Sequence, residues 1–352
     1  MNHAISLQKI PLLKAVERLQ SLTDLDVLRK GVRRLSRTIR TTSSNRKRSA
    51  DSNVVLISKP FLVGELEQIH AVQSVERARY YLSRLKKALT TEKITKVNDL
   101  NLRRWKEYED VLTDSLWILP RRDNSGEHSA WYWGNFIPQI PHQLMTRYTK
   151  KGEWVFDPFA GSGTTLLECQ RLKRNALGIE LNRAVAKRTR HALNHNTVRS
   201  DTTAEIEVGD STRLDVHKSL RRLGVSSVQL VVLHPPYHDI IRFSRDSHDL
   251  SNAPTTKQFL TMFGKVVDRS LSVLDKGRYM ALVIGDKYQR GEWVPLGFLA
   301  MNEVTKRRCT LKSIVVKNFE RTLGKRKQAA LWRYRALIGG FYVFKHEYIF
   351  IF

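Results

Sequence analysis

Asp157-Pro-Phe-Ala-Gly-Ser-Gly-Thr-Thr165 lies where a predicted strand, Trp154–Asp157, gives way to a segment with helical spacing that continues to about Leu172. Gly161 and Gly163 permit backbone angles and a close approach of a ligand that a Cβ atom would prevent. The helix that follows presents free N–H groups to such a ligand. The stretch therefore predicts a ligand-binding turn between a strand and a helix.

Two common phosphate-binding patterns do not fit this turn. The Walker pattern requires Gly-Lys-Ser/Thr, and the turn contains no lysine. The dinucleotide pattern requires a glycine three positions after Gly163, where the sequence has Leu166. Neither a P-loop nor a dinucleotide-binding turn is predicted.

Beyond residue 150 the sequence alternates between short apolar runs and segments of helical spacing, which predicts a mostly parallel, doubly wound α/β sheet of the Rossmann-like kind. The last two apolar runs predict an antiparallel hairpin at one edge. Strands are predicted at Trp154–Asp157, Ala176–Glu180, Ile206–Gly209, Val228–Leu233, Tyr279–Ile284, Leu311–Val316, Gly340–Phe344 and Tyr348–Phe352. Helices are predicted at 183–195, 257–274 and near 295–306.

Residues 1–125 differ from the rest of the chain. Their apolar residues recur at helical spacing within 10–40 and 64–90, so a basic, helical N-terminal extension is predicted, with a possible role in target recognition. Residues 126–352 are predicted to form a second domain that contains the α/β sheet. No internal repeat is visible in the sequence.

The charge balance indicates a polyanionic partner. Sixty-one Lys and Arg stand against 34 Asp and Glu, a formal net charge of +27. Charge alone also fits a ribosome-associated protein or attraction to an anionic membrane. Two cysteines exclude a disulfide framework. With no signal-peptide pattern and no apolar run of roughly 18 residues, an intracellular, cytoplasmic protein without a membrane partner is expected.

The turn at 157–165 resembles the first motif of class I methyltransferases, in the Asp-Pro-Phe-x-Gly-Ser-Gly-Thr-Thr form of DNA amino-methyltransferases acting on adenine N6 or cytosine N4. The resemblance covers roughly residues 130–352 and implies that 126–352 is a methyltransferase catalytic domain. It also implies S-adenosyl-L-methionine as cofactor, with its methionine part in the loop and its ammonium near Asp157. The predicted cofactor-binding residues are Phe136, Asp157, Phe159, Ala160, Gly161, Ser162, Gly163, Thr164, Glu180, Leu181, Asp210 and Ser211.

Three further segments complete the predicted cofactor site. Glu180 ends the second strand, where a carboxylate accepts hydrogen bonds from ribose hydroxyls. The resemblance places Asp210 against the adenine amino group, while the residues alone equally allow a helix N-cap. Trp133–Leu144, which includes Phe136, resembles the motif that closes over the methionine end, although its aromatic residues also fit a hydrophobic core.

Leu233-His-Pro-Pro-Tyr-His-Asp239 follows the buried strand Val228–Leu233 and resembles the Asp/Asn/Ser-Pro-Pro-aromatic motif of amino-methyltransferases. Transfer from a sulfonium needs an amine aimed in line with the methyl group. Pro235 and Pro236 stiffen the loop, so that the Pro235 carbonyl and the side chain of residue 234 face the amino protons. Tyr237 would stack on a base extruded from the duplex.

His234 departs from the usual residues at this position. A neutral imidazole can accept one hydrogen bond, so catalysis is feasible, but adenine and cytosine both remain open as targets and a non-catalytic loop is the alternative. His238 lies four residues on, but the two prolines exclude the helix that a metal-binding pair would need. Neither cysteine follows a proline, which excludes a cytosine-C5 nucleophile.

Residues 321–335 combine six basic residues with two aromatic ones and no acid, which predicts a loop that contacts nucleic acid. A solvated basic loop is the alternative. Arg242 and Arg245 are expected to line the same cleft. The predicted nucleic-acid contacts are Arg242, Arg245, Lys325, Arg326, Lys327, Trp332, Arg333, Tyr334 and Arg335.

The sequence thus predicts a site-specific DNA methyltransferase acting on duplex DNA with a flipped base. A restriction or defence nuclease is a possible partner. Two alternatives stay open, an RNA-guanine N2 methyltransferase and a non-catalytic nucleic-acid-binding protein of the same fold.

Overall fold

The computed structural model describes residues 4–43, 53–119, 122–125, 128, 131–196, 201–289, 291–319 and 329–352. The chain divides into two compact units. The first comprises Met1–Lys96 and Leu100–Val111, and the second comprises Val97–Asp99 and Leu112–Phe352. The sequence-based boundary lies at residue 125, whereas residues 112–125 belong with the second unit.

The first unit contains two strands that the sequence did not predict, in addition to the predicted helices. Pro60 lies in the first turn of its helix, and Asp24, Ser58 and Ser74 each accept a backbone hydrogen bond as N-caps. Its elements are β1 (Ala4–Gln8), α1 (Lys9–Gln20), α2 (Leu25–Thr41), β2 (Val54–Ser58), α3 (Lys59–His70) and α4 (Val75–Thr90).

These elements form an internal repeat, so the absence of a repeat inferred from the sequence is wrong. Each element of the second half begins 50 residues after its counterpart: Ala4 and Val54, Lys9 and Lys59, Leu25 and Val75. The core keeps the same spacing. Leu12, Val16, Leu19, Leu28, Val32 and Ile39 are buried, and so are Leu62, Leu66, Ile69, Ala78, Leu82 and Leu89.

In the second unit, eight strands of the described residues form one sheet, and the predicted fold class is confirmed. In spatial order they are β3 (Leu116–Trp117), β11 (Ser313–Asn318), β12 (His346–Ile351), β8 (Leu274–Ile284), β7 (Val228–Leu233), β4 (Trp154–Asp157), β5 (Asn175–Glu180) and β6 (Ala204–Val208). The strands from β8 to β6 are parallel, and β12 is antiparallel to both neighbours.

Helices cover both faces of this sheet, as a buried parallel sheet requires. Along β7, Leu230 and Val232 face one layer while Val231 and Leu233 face the other. The first layer holds α5 (Gln139–Tyr148), α6 (Thr164–Leu172) and α7 (Arg183–His195), and the second holds α8 (Val216–Arg222), α9 (Thr256–Val273) and α10 (Leu296–Thr305). Within the described ranges, no helix is both long and apolar enough to cross a membrane.

The C-terminal segment differs from the prediction in two ways. Residues 329–335, predicted as a loop, begin helix α11 (Ala329–Gly339), because Ala-Ala-Leu-Trp-Arg-Tyr-Arg-Ala-Leu-Ile contains no helix breaker before Gly339. The predicted strand Gly340–Phe344 is also wrong. Phe341 stacks on Tyr288 and Phe344 packs on Trp293, residues of the hairpin β9 (Lys287–Gln289) and β10 (Glu292–Val294).

The antiparallel pair is therefore β11 and β12, and not a hairpin of the last two apolar runs. β12 lies inside the sheet between β11 and β8, and β3 forms that edge.

Candidate active site

The predicted site is built at the point where the sheet changes direction. β4 has β5 on one side and β7 on the other, so the connections to its two neighbours lie on opposite sides of it. Ligands bind at the carboxyl ends of the strands at such a point. A cavity of about 800 Å³ opens there. The Gly-rich turn after β4 and the Pro-Pro turn after β7 both line it.

Most of the predicted site residues face this cavity. Among those predicted to bind the cofactor, the cavity is lined by Phe136, Phe159, Ala160, Gly161, Thr164, Glu180, Leu181, Asp210 and Ser211. His234, Pro235, Pro236 and Tyr237 line it as well. Asp157, Ser162 and Gly163 do not line the cavity and are buried.

The glycines give the loop its shape. Gly161 and Gly163 adopt φ angles of 51° and 77° in the left-handed region. A Cβ on Gly163 would lie 2.5 Å from Cγ2 of Thr189, and one on Gly161 would lie 3.0 Å from the ring of Tyr132. Both positions therefore require glycine, one for packing beneath the loop and one at the cavity wall.

Asp157 holds the loop from behind. Its Oδ1 accepts a hydrogen bond from Phe159 N at 2.9 Å, and its Oδ2 accepts one from Thr165 Oγ1 at 2.5 Å. Burial raises the pKa of Asp157 to about 6, against these two hydrogen bonds, which lower it. A contact with the cofactor ammonium stays a prediction; the positioning of the loop is what the contacts show.

Glu180 joins the cofactor loop to the end of β5. Its Oε2 accepts a hydrogen bond from Gly161 N at 3.0 Å, and its Oε1 accepts one from Asn182 N at 2.7 Å. Burial raises the pKa of Glu180 to about 7. Each oxygen keeps a second lone pair for a hydroxyl donor in the cavity.

Asp210 and Ser211 continue the wall beyond β6. Asp210 is not a helix N-cap, because that position of α8 belongs to Asp215. Its Oδ1 accepts from Thr212 N at 2.8 Å, while its Oδ2 is buried, makes no hydrogen bond with the described residues, and lies 3.5 Å from Arg213 Nε. Ser211 Oγ donates to the Pro158 carbonyl at 2.6 Å.

His234 faces the cavity as a neutral group. Its ring packs edge-to-face against Phe136, with ring centroids 4.6 Å apart, and against Tyr237 at 5.8 Å. Burial lowers the pKa of His234 to about 4. No hydrogen bond involves its ring nitrogens in the part of the chain that the structure describes, so one nitrogen is available as an acceptor.

Sequence reasoning missed a buried ion pair beside this motif. Glu347 on β12 is the direct cross-strand partner of Lys317 on β11, both line the cavity, and Glu347 Oε1 lies 3.2 Å from Lys317 Nζ. Tyr237 donates its hydroxyl hydrogen to Glu347 Oε2 at 2.7 Å. The sequence does contain a signal for this pair, because alternate residues of a strand face the same side of the sheet. Lys317 alternates with the buried Val315, and Glu347 alternates with the buried Ile349 and Ile351.

Arg122 is a second missed residue of the cavity wall. Its Nη1 donates to the Phe136 carbonyl at 2.8 Å, and its Nη2 lies 3.5 Å from Thr164 Oγ1. Its Nε is buried and makes no hydrogen bond within the described ranges. A cation therefore faces the cavity beside the start of α6.

The residue after Tyr237 is strained and held firmly. His238 adopts a left-handed φ of 54°, and its Nε2 donates to the Ala253 carbonyl at 2.7 Å. Its Nδ1 therefore accepts from the buried Lys287 Nζ at 2.6 Å, and Lys287 also donates to Asp239 at 2.7 Å. These bonds fix the chain on the far side of Tyr237.

The predicted nucleic-acid contacts are dispersed. Arg242 and Arg245 are exposed between Tyr237 and α9, without lining the cavity. Arg333, Tyr334 and Arg335 are exposed on α11, where the guanidinium of Arg335 lies 5.5 Å from the ring centre of Trp332. Lys325, Arg326 and Lys327 lie outside the described residues. A shared cleft for these groups stays a prediction.

A parallel α/β sheet with a Gly-rich turn and a Pro-Pro turn on one cavity at its switch point defines a class I methyltransferase fold. A sequence model of the N6/N4 methyltransferase family, described as DNA methylase, matches residues 43–190. That match includes the Gly-rich turn and ends before His234. Known relatives are consistent with this match.

The type II methyltransferase M.MjaII of Methanocaldococcus jannaschii is 42% identical over 50 residues, which is 14% of this chain and 9% of that enzyme. The type II methyltransferase M.XycI of Xanthomonas campestris pv. cyanopsidis is 37% identical over 68 residues, 19% of this chain and 21% of that enzyme. The chain thus spans about a fifth or less of the length of these relatives.

A solved S-adenosylmethionine-dependent methyltransferase of Methanosarcina mazei is 15% identical, with a TM-score of 0.39 that covers 59% of this chain and 95% of that one. At this identity and TM-score the likeness is slight. The family model and the sequence relatives confirm the predicted resemblance: the chain is similar to S-adenosylmethionine-dependent DNA amino-methyltransferases.

Proposed function

We propose that the protein transfers a methyl group from S-adenosylmethionine to an exocyclic amino group in DNA, at adenine N6 or cytosine N4. The observation that carries the proposal is the meeting of two turns on one cavity. The Gly-rich turn and the His234–Tyr237 turn leave adjacent parallel strands and face the same space of about 800 Å³.

The residues of the cavity fit the cofactor. A Cβ at Gly161 would intrude on the wall, and two buried polar atoms, Arg122 Nε and Asp210 Oδ2, make no hydrogen bond within the described part of the chain. Arg122 would pair with the methionine carboxylate, Glu180 would accept from the ribose, and Asp210 would accept from the adenine amino group. When bound, the cofactor supplies an electrophilic methyl group.

The other wall would hold the target base. An atom inside a duplex is out of reach, so the base must leave the stack. Tyr237 offers a ring face whose orientation is fixed by its hydrogen bond to Glu347 and by contact with Gly285, where a Cβ would lie 3.0 Å from the ring. Pro235 and Pro236 keep the loop stiff and direct the Pro235 carbonyl toward the amine.

His234 would manage the proton. An amino nitrogen that gains a methyl group becomes positively charged and must release a proton. The free nitrogen of a neutral imidazole accepts a hydrogen bond from the amine before the transfer and takes the proton after it. Because burial keeps the pKa of His234 near 4, the ring is neutral at physiological pH and ready for this role.

The names of the relatives also support a proposal about the cellular role of the enzyme. Both relatives are named type II methyltransferases, which supports a site-specific enzyme in this case and a restriction or defence nuclease as its counterpart. A DNA substrate fits the intracellular, cytoplasmic location predicted from the sequence, and in a prokaryotic cell it would place the protein at the nucleoid.

Nucleoside mass spectrometry tests the proposal. The full chain is incubated with methyl-labelled cofactor and either duplex DNA or transfer RNA, and the digested products are analysed. We expect label in N6-methyladenine or N4-methylcytosine from DNA, and its loss in His234→Ala. Label in N2-methylguanine from RNA would replace DNA by RNA as substrate. Cofactor binding without label in either would leave a non-catalytic binding protein.

A further inference from the structure

The internal repeat makes the first unit a pseudo-twofold structure in a single chain. β1 and β2 pair antiparallel, and Ser6 faces Leu56, its own counterpart 50 residues later. The helices of each half pack against those of the other half: α1 packs on α4, and α2 packs on α3. Residues of β1, α1 and α2 therefore have structural counterparts in β2, α3 and α4, which allows the two surfaces to be compared directly.

Helices α2 and α4 have apolar residues at corresponding buried positions, but their exposed faces carry different residues. Leu28, Val32 and Ile39 of α2 correspond to the buried Ala78, Leu82 and Leu89 of α4. The opposite face of α2 carries four exposed basic residues, each three or four residues from two of the others: Lys30, Arg33, Arg34 and Arg37. These four residues are named the α2 basic stripe.

No acidic side chain forms an ion pair with the stripe among the described residues. At its two ends, Asp26 pairs with Arg29 and Glu67 pairs with Arg40, and no ion pair reaches the four residues between them. Burial and the charges of Arg33 and Arg29 together lower the pKa of His70 on the neighbouring α3, which reflects a positive potential there.

The fold does not require these charges. The counterparts of the stripe on α4 are Tyr80, Ser83, Arg84 and Lys87, and Arg84 is neutralised by Glu65 at 2.8 Å. Like charges three or four residues apart destabilise a helix by a few tenths of a kcal/mol for each pair. The stripe therefore lowers stability in isolation, and an anionic partner would remove that penalty.

The outer face of the two-stranded ribbon is a poorer candidate for the same role. By the period of two, Ala4, Ser6 and Gln8 face away from the core, and so do Val54, Leu56 and Ser58. None is charged, and Ala4 is buried. The outer face of the ribbon therefore offers no cation to a phosphate group, whereas α2 presents four.

We propose that the α2 basic stripe binds the sugar-phosphate backbone of duplex DNA and holds the substrate to the enzyme independently of sequence. This rests on the proposed DNA methyltransferase function. The stripe extends over about 10 Å along the helix axis, and Lys and Arg side chains reach several successive phosphates from such a line. Contacts to phosphate fix position without reading bases, so target selection stays with the cavity and its surroundings.

Salt dependence of DNA binding tests the assignment. Fluorescence anisotropy with a short duplex is measured across a salt series for the full chain and for Lys30→Gln/Arg33→Gln/Arg34→Gln/Arg37→Gln. Each released phosphate contact contributes about 0.9 to the slope of log affinity against log salt, so we expect the slope to shrink by about 3 to 4. Thermal melting should not fall, because glutamine keeps helix propensity and the repulsion is relieved.

A matched pair of double variants separates this surface from net charge. Arg33→Gln/Arg37→Gln and Lys14→Gln/Arg18→Gln each remove two exposed charges four residues apart, the second pair from α1. We expect a loss of about 2 in slope for the first and little for the second. Equal losses, or no loss, would overturn the assignment, as would tighter competition by transfer RNA than by duplex DNA.

The same variants distinguish this inference from the proposed function. At saturating DNA and low salt, the quadruple variant should methylate at the wild-type maximal rate, with only its KM for DNA raised. Normal methylation together with an unchanged salt slope would refute the stripe alone. A wild-type protein with the expected slope but no methyl transfer would refute the methyltransferase proposal alone.

Discussion

Replacing Glu347 by glutamine removes a charge that two residues of the cavity wall share. Glu347 accepts the hydroxyl hydrogen of Tyr237 at 2.7 Å and neutralises Lys317 at 3.2 Å, and both charged side chains are at least nine-tenths buried. The substitution leaves the ammonium of Lys317 buried without a counter-ion. It also leaves Tyr237 with a neutral acceptor in place of a charged one.

The two effects differ in size. Breaking a buried ion pair by removing one partner costs about 3–5 kcal/mol of unfolding free energy. Exchanging a charged acceptor for a neutral one weakens a hydrogen bond by about 1 kcal/mol, which corresponds to roughly a fivefold slower methyl transfer if Tyr237 positions the base. Glu347→Gln should therefore be severely destabilised and only moderately slower when folded.

A second substitution separates these effects. Glu347→Gln/Lys317→Met removes both charges, so most of the lost stability should return while methyl transfer stays reduced. Denaturant unfolding and single-turnover methylation measure the two quantities. Lys306→Gln removes an exposed ammonium that pairs with Glu303, should cost under about 1 kcal/mol and serves as control. A double variant as unstable as the single one would refute the reasoning.

Three further outcomes are expected. With a His234 pKa near 4, the single-turnover rate at saturating cofactor should stay constant as pH falls to about 5 and decline only towards pH 4; a decline centred near 6.5 would contradict a buried, neutral imidazole. Because hydroxyl donors favour an ionised Glu180, calorimetry should show cofactor affinity rising as pH increases through about 7, and Glu180→Gln should abolish that rise; an equally steep rise in the variant would assign it elsewhere. Gly163→Ala should weaken cofactor binding at least about tenfold, because its Cβ would collide with Thr189. The control Gly152→Ala has a similar φ of 80° in open space, and it should lower only the stability, by about 1–2 kcal/mol. Equal cofactor affinities of the two variants would contradict the role of the loop.

The parallel part of the sheet followed from local pattern. Trp154–Asp157 and Val228–Leu233 are short, apolar and bounded by turn residues, and their strands have these same bounds in the structure. The cofactor and catalytic turns could be located because both lie directly at strand ends, and the switch point brings such ends together.

Features that depend on distant pairing were not predictable in this way. Lys317 and Glu347 are cross-strand partners only because β12 is inserted between β11 and β8. The aromatic run at 341–344 alternates like a strand, but its rings pack on the β9–β10 hairpin.

The internal repeat was not predictable from the sequence, because its two halves have buried apolar residues at the same positions but mostly different residue types. Leu28 corresponds to Ala78, Val32 to Leu82 and Ile39 to Leu89, so the apolar positions coincide while the residues differ. Only the constant spacing of 50 residues between the strands and helices of the two halves makes the duplication evident.

Tyr237→Ala tests most directly the proposal that one cavity holds both the methyl donor and the target base. Cofactor affinity by calorimetry and single-turnover methyl transfer are measured on the same preparation. Losing a stacking face for the base should slow transfer about 10- to 100-fold, while the dissociation constant for the cofactor changes little. If affinity and rate fall together by the same factor, Tyr237 belongs to the cofactor pocket, and the proposed division of the cavity is wrong.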